Sequence, residues 1–73
     1  MDGNHDQPLA EFVKENRKIL GLTQPEFSRR VGVGLRFIRD IEQGKQSLRM
    51  DKVNQVLKYL GYQLGPVPLS DRT

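Results

Sequence analysis

Apolar residues recur at helical spacing in two longer segments of this chain. The first segment contributes Leu9, Phe12, Val13, Ile19 and Leu20. The second contributes Met50, Val53, Val56, Leu57 and Leu60. Spacings of three and four residues place side chains on one face of an α-helix. The pattern predicts a first helix over residues 9–20, ended by Gly21, and a closing helix over residues 50–60, ended by Gly61, with these apolar side chains facing inward.

The segment after the first helix begins with a helix-start signal. Thr23 and Glu26 have the T-x-x-E spacing of a capping box, in which each side chain binds the other residue's backbone amide. Pro25 suits the first turn, because amides there have no intrahelical partner. Phe27 and Val31 follow four residues apart, on one helical face. A second helix that buries these two side chains is therefore predicted.

A glycine turn and a third short helix follow. Gly32 can adopt the left-handed conformation of a tight turn without a Cβ penalty. The next helix is predicted to begin near Gly34, to bury Ile38 and Ile41, and to be stopped by Gly44. The positions left to face outward are Leu35, Arg36, Arg39, Asp40 and Gln43. Two short helices joined by a tight turn, with arginines outward on the second, are typical of chains that read a DNA groove.

The ordered pattern resembles the Cro/repressor type of helix-turn-helix, the XRE-like family, from Glu11 to Gly61. The matching pieces are Leu22-Thr23-Gln24, Phe27-Ser28, Gly32-Val33, Ile38, Glu42-x-Gly44-Lys45, and Val53 through Leu60-Gly61. Each piece alone is common, whereas the ordered set at these spacings is specific. The resemblance also implies a structural ion pair between Arg17 and Glu42, which would join the first and third helices.

Two positions depart from the family pattern. Gly34 stands where a serine or threonine usually caps the recognition helix, and Arg49 stands where a capping serine is common before the last helix. Loss of a side-chain cap costs about 1 kcal/mol. Both helix starts are therefore expected to be shifted or less well anchored.

The predicted fold is all-α: a small helix-turn-helix bundle of four to five helices with a short C-terminal β-strand-like tail. The fifth helix would be a single turn over residues 46–48, where Leu48 partly covers the core. Residues 1–8 are predicted to be a disordered leader, residues 9–61 a helix-turn-helix DNA-binding domain, and residues 62–73 an extended tail.

The tail differs in kind from the helices before it. Tyr62, Leu64 and Val67 favour an extended segment, whereas Pro66 and Pro68 exclude a helix or a central strand. A lone strand is unstable, and its copy in a second subunit is the most economical partner, so the tail is a candidate dimerisation strand. A helix-turn-helix domain with such a tail is similar to the HipB-type antitoxins, small repressors that dimerise, bind their own operator and hold a kinase toxin.

Composition and charge narrow the function. The chain has 73 residues, a net charge of +3 and no cysteine, so it is one small domain with a thin core and has neither a disulfide framework nor a thiolate zinc site. From Arg29 to Arg49 six basic residues stand against two acidic ones, which suits phosphate binding, although solvated charge is the plainer alternative. No apolar run approaches the ~18 residues of a membrane helix, so a soluble, cytoplasmic protein is expected.

The arginines of the third helix are candidate base readers. The planar guanidinium matches the O6 and N7 acceptors of guanine, so Arg36 and Arg39 are predicted to read bases. Phosphate binding, or pairing with Asp40 or Glu42, is the alternative for both. Leu35 either touches a thymine methyl, packs in a dimer or is simply exposed.

Other residues are candidate phosphate contacts. The resemblance implies that Gln24 contacts a phosphate and steadies the neighbouring recognition residue, and that the loop after the third helix lies along the DNA backbone. That loop contributes Lys45, Gln46, Ser47 and Arg49. The amide of Gly34, near a helix N-terminus, can approach a phosphate. The alternatives are an ordinary polar first-turn residue at Gln24 and solvated cations at Lys45 and Arg49.

The sequence lacks the residue patterns that form common catalytic sites. It has no cysteine, one histidine in the leader, and no G-x-S-x-G, P-loop or metal-spaced cluster, so no catalytic residue, cofactor or metal is expected. The predicted function is a sequence-specific DNA-binding transcriptional regulator, a dimeric repressor of its own operon that acts as an antitoxin. The implied partners are a double-stranded DNA operator, a second copy of the chain and a HipA-type kinase toxin. The alternative is a protein-interaction module that uses the same fold without reading DNA.

Overall fold

The computed structural model describes residues 8–66, and these form four α-helices joined by short turns. In chain order they are α1 (Pro8–Ile19), α2 (Gln24–Val31), α3 (Leu35–Glu42) and α4 (Met50–Tyr59). The four predicted helices are confirmed, with ends close to the expected positions. Residues 8–66 contain no strand. No helix in this part of the chain is long and apolar enough to cross a membrane.

The start of α2 is held by the predicted capping box. The Glu26 backbone amide donates to the Thr23 hydroxyl at 3.2 Å, and the Thr23 amide donates to the Glu26 carboxylate at 2.9 Å. The second of these bonds holds the pKa of the Glu26 carboxyl below its ordinary value, because the amide favours the charged form. At the other end of α2, Gly32 has a φ of 91° and its amide donates to the Ser28 carbonyl at 2.9 Å. Both ends of α2 are thus closed by local hydrogen bonds.

One apolar core lies where the four helices meet. Its fully buried large side chains are Val13, Phe27, Ile38, Ile41 and Val56. The helix α3 packs against both α1 and α2, so its inner face, with Ile38 and Ile41, is enclosed. Burial of each such side chain contributes roughly 1.5–3 kcal/mol. The core therefore fixes which face of α3 remains in solvent.

Three side chains predicted to face inward are instead exposed. Ile19 is 79% exposed, Leu20 is 50% exposed and Met50 is 68% exposed. Ile19 and Met50 are terminal residues of α1 and α4, and Leu20 follows the end of α1. Helical spacing identifies a face, but it does not show where along that face the neighbouring element stops. The inward positions that the pattern missed on α1 are the small Ala10 and the charged Arg17.

The fifth helix, considered over residues 46–48, is absent from the structure. Gly44 has a φ of 82° and turns the chain away from α3, and the following residues run without a helical turn until Met50. A single turn fixes several dihedral angles for one hydrogen bond, so a short segment gains little from it. Leu48 is half-buried and packs against the core, as expected.

The strand-like tail is not seen over residues 62–66, which form no regular structure. The Tyr62 ring meets the Phe12 ring edge-on with centroids 4.7 Å apart, and the Leu64 amide donates to the Asn54 carboxamide oxygen at 2.9 Å. These contacts hold the segment against α1 and α4. A strand would need a neighbouring strand to pair with, and residues 8–66 contain none. The rest of the predicted tail, residues 67–73, and the predicted leader up to residue 7 lie outside the described residues. Pro8, assigned to the leader, begins α1.

Candidate nucleic-acid interface

The outward face of α3 is polar and basic. Gly34 precedes the helix in an extended conformation and provides no side-chain cap, as the departure from the family pattern predicts. Arg36 lies on this face with 89% of its side chain exposed. Arg39 is also exposed, and it forms no ion pair with another residue of the described part. Leu35, in contrast, is half-buried, so the outward face offers mainly guanidinium groups.

A buried ion pair ties the other side of α3 to α1. The Arg17 Nε donates to Glu42 Oε2 at 2.7 Å and its Nη2 donates to Oε1 at 3.1 Å, while Nη1 donates to the Leu22 carbonyl at 2.7 Å. The two side chains are only 11% and 2% exposed. Two parallel bonds between a guanidinium and a carboxylate fix direction as well as distance. The ion pair that the resemblance implies is therefore confirmed, and it joins the end of α3 to α1.

Gln24 belongs to the same network, which the sequence did not reveal. Its amide Nε2 donates to Glu42 Oε1 at 3.0 Å and so links the first residue of α2 to the last residue of α3. A carboxamide has two N–H donors and one oxygen acceptor, so this bond leaves capacity for a further contact. The phosphate contact expected of Gln24 stays a prediction. The hydrogen bond to Glu42 holds the Gln24 side chain in place.

A loose ion triad lies on the outward side of the same helix. Asp40 Oδ1 is 3.8 Å from Arg36 Nε, and Asp40 Oδ2 is 3.6 Å from Lys45 Nζ. The end of α3 explains the second contact, because the Lys45 amide donates to the Asp40 carbonyl at 3.0 Å and keeps the two residues side by side. Of the alternatives considered for Arg36, pairing with Asp40 is the one present in the free protein.

The loop after α3 presents its candidate phosphate ligands to solvent. Lys45, Gln46, Ser47 and Arg49 are all exposed. Arg49 is engaged by Asp51, whose Oδ2 lies 2.7 Å from Arg49 Nη2, and this bond holds the pKa of the Asp51 carboxyl below its ordinary value. Arg49 makes no side-chain cap bond at the start of α4, again as the departure from the family pattern predicts. Arg49 therefore pairs with a different acid from the one that Arg36 and Lys45 share.

Other hydrogen bonds that position the site were missed at the level of sequence. Gln55 of α4 donates through Nε2 to the Val31 carbonyl at 3.1 Å and to the Gly32 carbonyl at 3.3 Å, which holds the turn between α2 and α3. The partners lie more than twenty residues apart, so no local pattern signals them.

Tyr59 packs edge-on against Phe27, with ring centroids 5.9 Å apart, and borders the core. Within residues 8–66, no group of three or more His, Cys, Asp or Glu side chains is placed to hold a metal ion.

The amino-acid sequence is similar to those of known proteins over most of its length. Residues 13–67 match the helix-turn-helix family. An uncharacterized HTH-type transcriptional regulator, y4mF, of Sinorhizobium fredii is 45% identical over 53 residues, which cover 73% of this chain and 70% of the relative. A second uncharacterized HTH-type transcriptional regulator, from Methanothermobacter thermautotrophicus, is 39% identical over 53 residues, which cover 73% of this chain and 77% of the relative. The stretch matched by the family includes the whole of α2, α3 and α4.

Proposed function

We propose that this chain, which belongs to the Cro/repressor-type helix-turn-helix family of DNA-binding transcriptional regulators, reads an operator by laying α3 in a major groove. The family is one of regulators and not of enzymes, which agrees with the non-enzymatic prediction. One observation supports the proposal above the others: α3 is fixed from behind by the Arg17–Glu42 pair while Arg36 and Arg39 stand in solvent on its outer face. A recognition helix needs a fixed position, so that its side chains meet the same bases each time, and exposed side chains that can reach those bases.

The candidate residues are proposed to make two kinds of contact, some with base edges in the groove and the others with phosphates. Arg36 and Arg39 read guanine edges, with Leu35 against a neighbouring thymine methyl. The phosphate contacts are assigned to Gln24, Gly34, Lys45, Gln46, Ser47 and Arg49. Contacts of the second kind position the domain without reading sequence. Specificity would therefore reside in α3, and most of the salt-dependent affinity in the residues around it.

The proposed active form is a dimer that represses its own operon. A single domain covers half of a two-fold symmetric operator, and a symmetric dimer places its recognition helices about 34 Å apart in successive major grooves. Exposed apolar side chains at Tyr62 (54%) and Leu64 (39%) support a second copy as the occupant of this end of the molecule. Pairing through residues 62–73 is the proposed arrangement.

The proposed biological role is that of an antitoxin which holds a HipA-type kinase toxin. Its support is the resemblance of the sequence pattern, a helix-turn-helix domain followed by a tail whose residues favour an extended segment, to the HipB-type antitoxins. The neighbouring reading frame tests this role first. A kinase-like frame whose product co-purifies with this chain is the expected result, and a neighbour without a kinase, together with a chain that purifies alone, removes the antitoxin role and leaves DNA binding intact.

The DNA-binding proposal is tested by selection from a pool of random DNA duplexes. The wild-type protein should enrich a palindromic sequence, and its affinity for that duplex should fall steeply with salt, because counterions are released from each neutralised phosphate. A scrambled duplex of the same composition is the control for sequence preference. If no sequence is enriched and no duplex shows salt-dependent binding, the fold serves protein interaction instead.

A further inference from the structure

Asp40 is an unusual residue to find among the candidate DNA ligands. It lies one helical turn after Arg36 and just before the end of α3, with Lys45 beside it on the far side of the helix stop. Its side chain is 22% exposed, against 89% for Arg36 and 55% for Lys45. A carboxylate thus sits between one candidate base reader and one candidate phosphate ligand. It would meet the strongly negative DNA surface together with them.

The two ion pairs of this triad are weak and easily exchanged. Their separations, 3.8 Å and 3.6 Å, exceed a hydrogen-bond length, and both cations are mostly in water, where such pairs contribute little. The Arg36 contact is through Nε, whereas the forked pairing with guanine O6 and N7 can be made by the two terminal amino groups. Arg36 can therefore read a guanine without leaving Asp40. It cannot reach for a distant phosphate and keep the same contact.

We propose that Asp40 is a specificity-determining residue that penalises binding to DNA lacking the right base. On the operator, Arg36 stays over Asp40 while its terminal amino groups read guanine, so the carboxylate remains neutralised. On other DNA, Arg36 and Lys45 both turn to phosphates, and Asp40 is left uncompensated beside the negative backbone. Repulsion built against the wrong partner raises specificity without any new contact to the right one. This inference rests on the proposed DNA-binding function.

The chain offers a matched control in Asp51. Asp51 pairs with Arg49, another candidate phosphate ligand, but it lies on α4 and away from the recognition helix. Asp40→Asn and Asp51→Asn each remove one negative charge that pairs with an arginine, and Asp40→Asn also frees Lys45. Only the first should change discrimination between sequences, because Arg49 has no base to read in either complex.

The experiment measures fluorescence anisotropy with two duplexes, the sequence enriched by the wild type and its scrambled form. Asp40→Asn should tighten binding to the scrambled duplex about three- to tenfold and steepen its salt slope by about one unit, while affinity for the enriched duplex stays within about twofold. Asp51→Asn should tighten both duplexes alike. In the Arg36→Ala background, Asp40→Asn should no longer alter the ratio of the two affinities. Melting curves of each variant show that it remains folded, and Asp40→Glu, which keeps the charge, should retain most of the discrimination.

The outcomes separate this inference from the function beneath it. If the wild type prefers the enriched duplex but Asp40→Asn shifts both duplexes equally, the specificity role of Asp40 is wrong and DNA recognition stands. Single-base variants of the enriched duplex give a second test. If Asp40→Asn loses preference at a base other than the one relaxed by Arg36→Ala, the inference is overturned, because Asp40 would then be reading a base itself. If the wild type discriminates between no duplexes, the proposed function and this inference both fail.

Discussion

The two sides of α3 carry the same kind of pair, an arginine with a carboxylate, and use it in opposite ways. On the inner side, Arg17 and Glu42 are buried and joined by two hydrogen bonds. On the outer side, Arg36 and Asp40 stand 3.8 Å apart with the arginine in water. Burial makes the first pair a structural link, because loss of either charge leaves the other charge buried without a partner. Because the Arg36–Asp40 pair is exposed, its two charges can separate at little cost.

Removing one carboxylate on each side of α3 tests whether the two ion pairs differ in their contribution to stability. Glu42→Ala leaves the Arg17 guanidinium buried with only the Leu22 carbonyl and also releases Gln24, so the free energy of unfolding should fall by about 3–5 kcal/mol. Asp40→Ala, on the exposed side, should change it by less than about 1 kcal/mol. Urea unfolding of the two variants measures the difference. Equal losses would mean that burial does not distinguish the two pairs.

Tight operator binding is expected to need two copies of the outer face of α3, one from each subunit of a dimer. Truncation after Gly61 tests this. The shortened chain should fold, since Val13, Phe27, Ile38, Ile41 and Val56 all remain, although it loses the contacts of Tyr62 and Leu64. As a monomer it should bind a palindromic operator roughly a hundredfold more weakly, because the second half-site no longer binds intramolecularly. Sedimentation together with operator titration measures both effects.

A truncated protein that stays dimeric at micromolar concentration would place the interface elsewhere. The outward face of α4, around Asn54, Lys58 and Tyr59, is then the next candidate. Asn54→Ala in the untruncated chain is a useful companion variant, because it removes the hydrogen bond to the Leu64 amide and leaves the tail in place. It should weaken dimerisation less than truncation does.

Within the outer face, Arg36 and Lys45 should differ in the kind of binding that each supplies. Arg36→Ala should relax preference at one operator position, with a loss of about 1–3 kcal/mol of discrimination there. Lys45→Ala should weaken binding to every sequence and make the salt slope shallower by about one unit. Affinities across a set of single-base operator variants separate these effects. Unchanged relative affinities for Arg36→Ala would remove its base-reading role.

Local features of the fold could be predicted from the sequence, whereas its long-range contacts could not. The Thr23–Glu26 capping box and the turn at Gly32 depend on neighbours within four residues, and both are present. The Arg17–Glu42 pair spans 25 residues and was expected only through the family resemblance. Spacing along the chain gives no sign of such a meeting, because it depends on how the helices pack.

The same limit explains what was missed at the site. Nothing in the sequence places Gln24 on Glu42 or Gln55 under the turn after α2, since each bond joins separate helices. The link between Asp40 and Lys45 arises from the way α3 stops, with the Lys45 amide on the Asp40 carbonyl. A helix stop at Gly44 was predicted, but the charge arrangement that it produces was not.

The smallest expected effect comes from a change that touches neither face of α3. Gly34 precedes the helix with φ −69° and ψ 151°, a conformation that serine adopts readily, and a Cβ there would meet nothing within 4 Å. Gly34→Ser adds a hydroxyl that can accept from an amide in the first turn, so stability should rise by about a few tenths of a kcal/mol. Gly34→Ala is the matched control, because it adds the Cβ without the oxygen and should be less stable than the serine variant. Thermal unfolding orders the three proteins. Because a cap acts at the end of the helix and not on Arg36 or Arg39, the serine variant should keep the wild-type preference among operator variants; an altered preference would show that discrimination depends on how firmly α3 begins, and not only on the side chains that it carries.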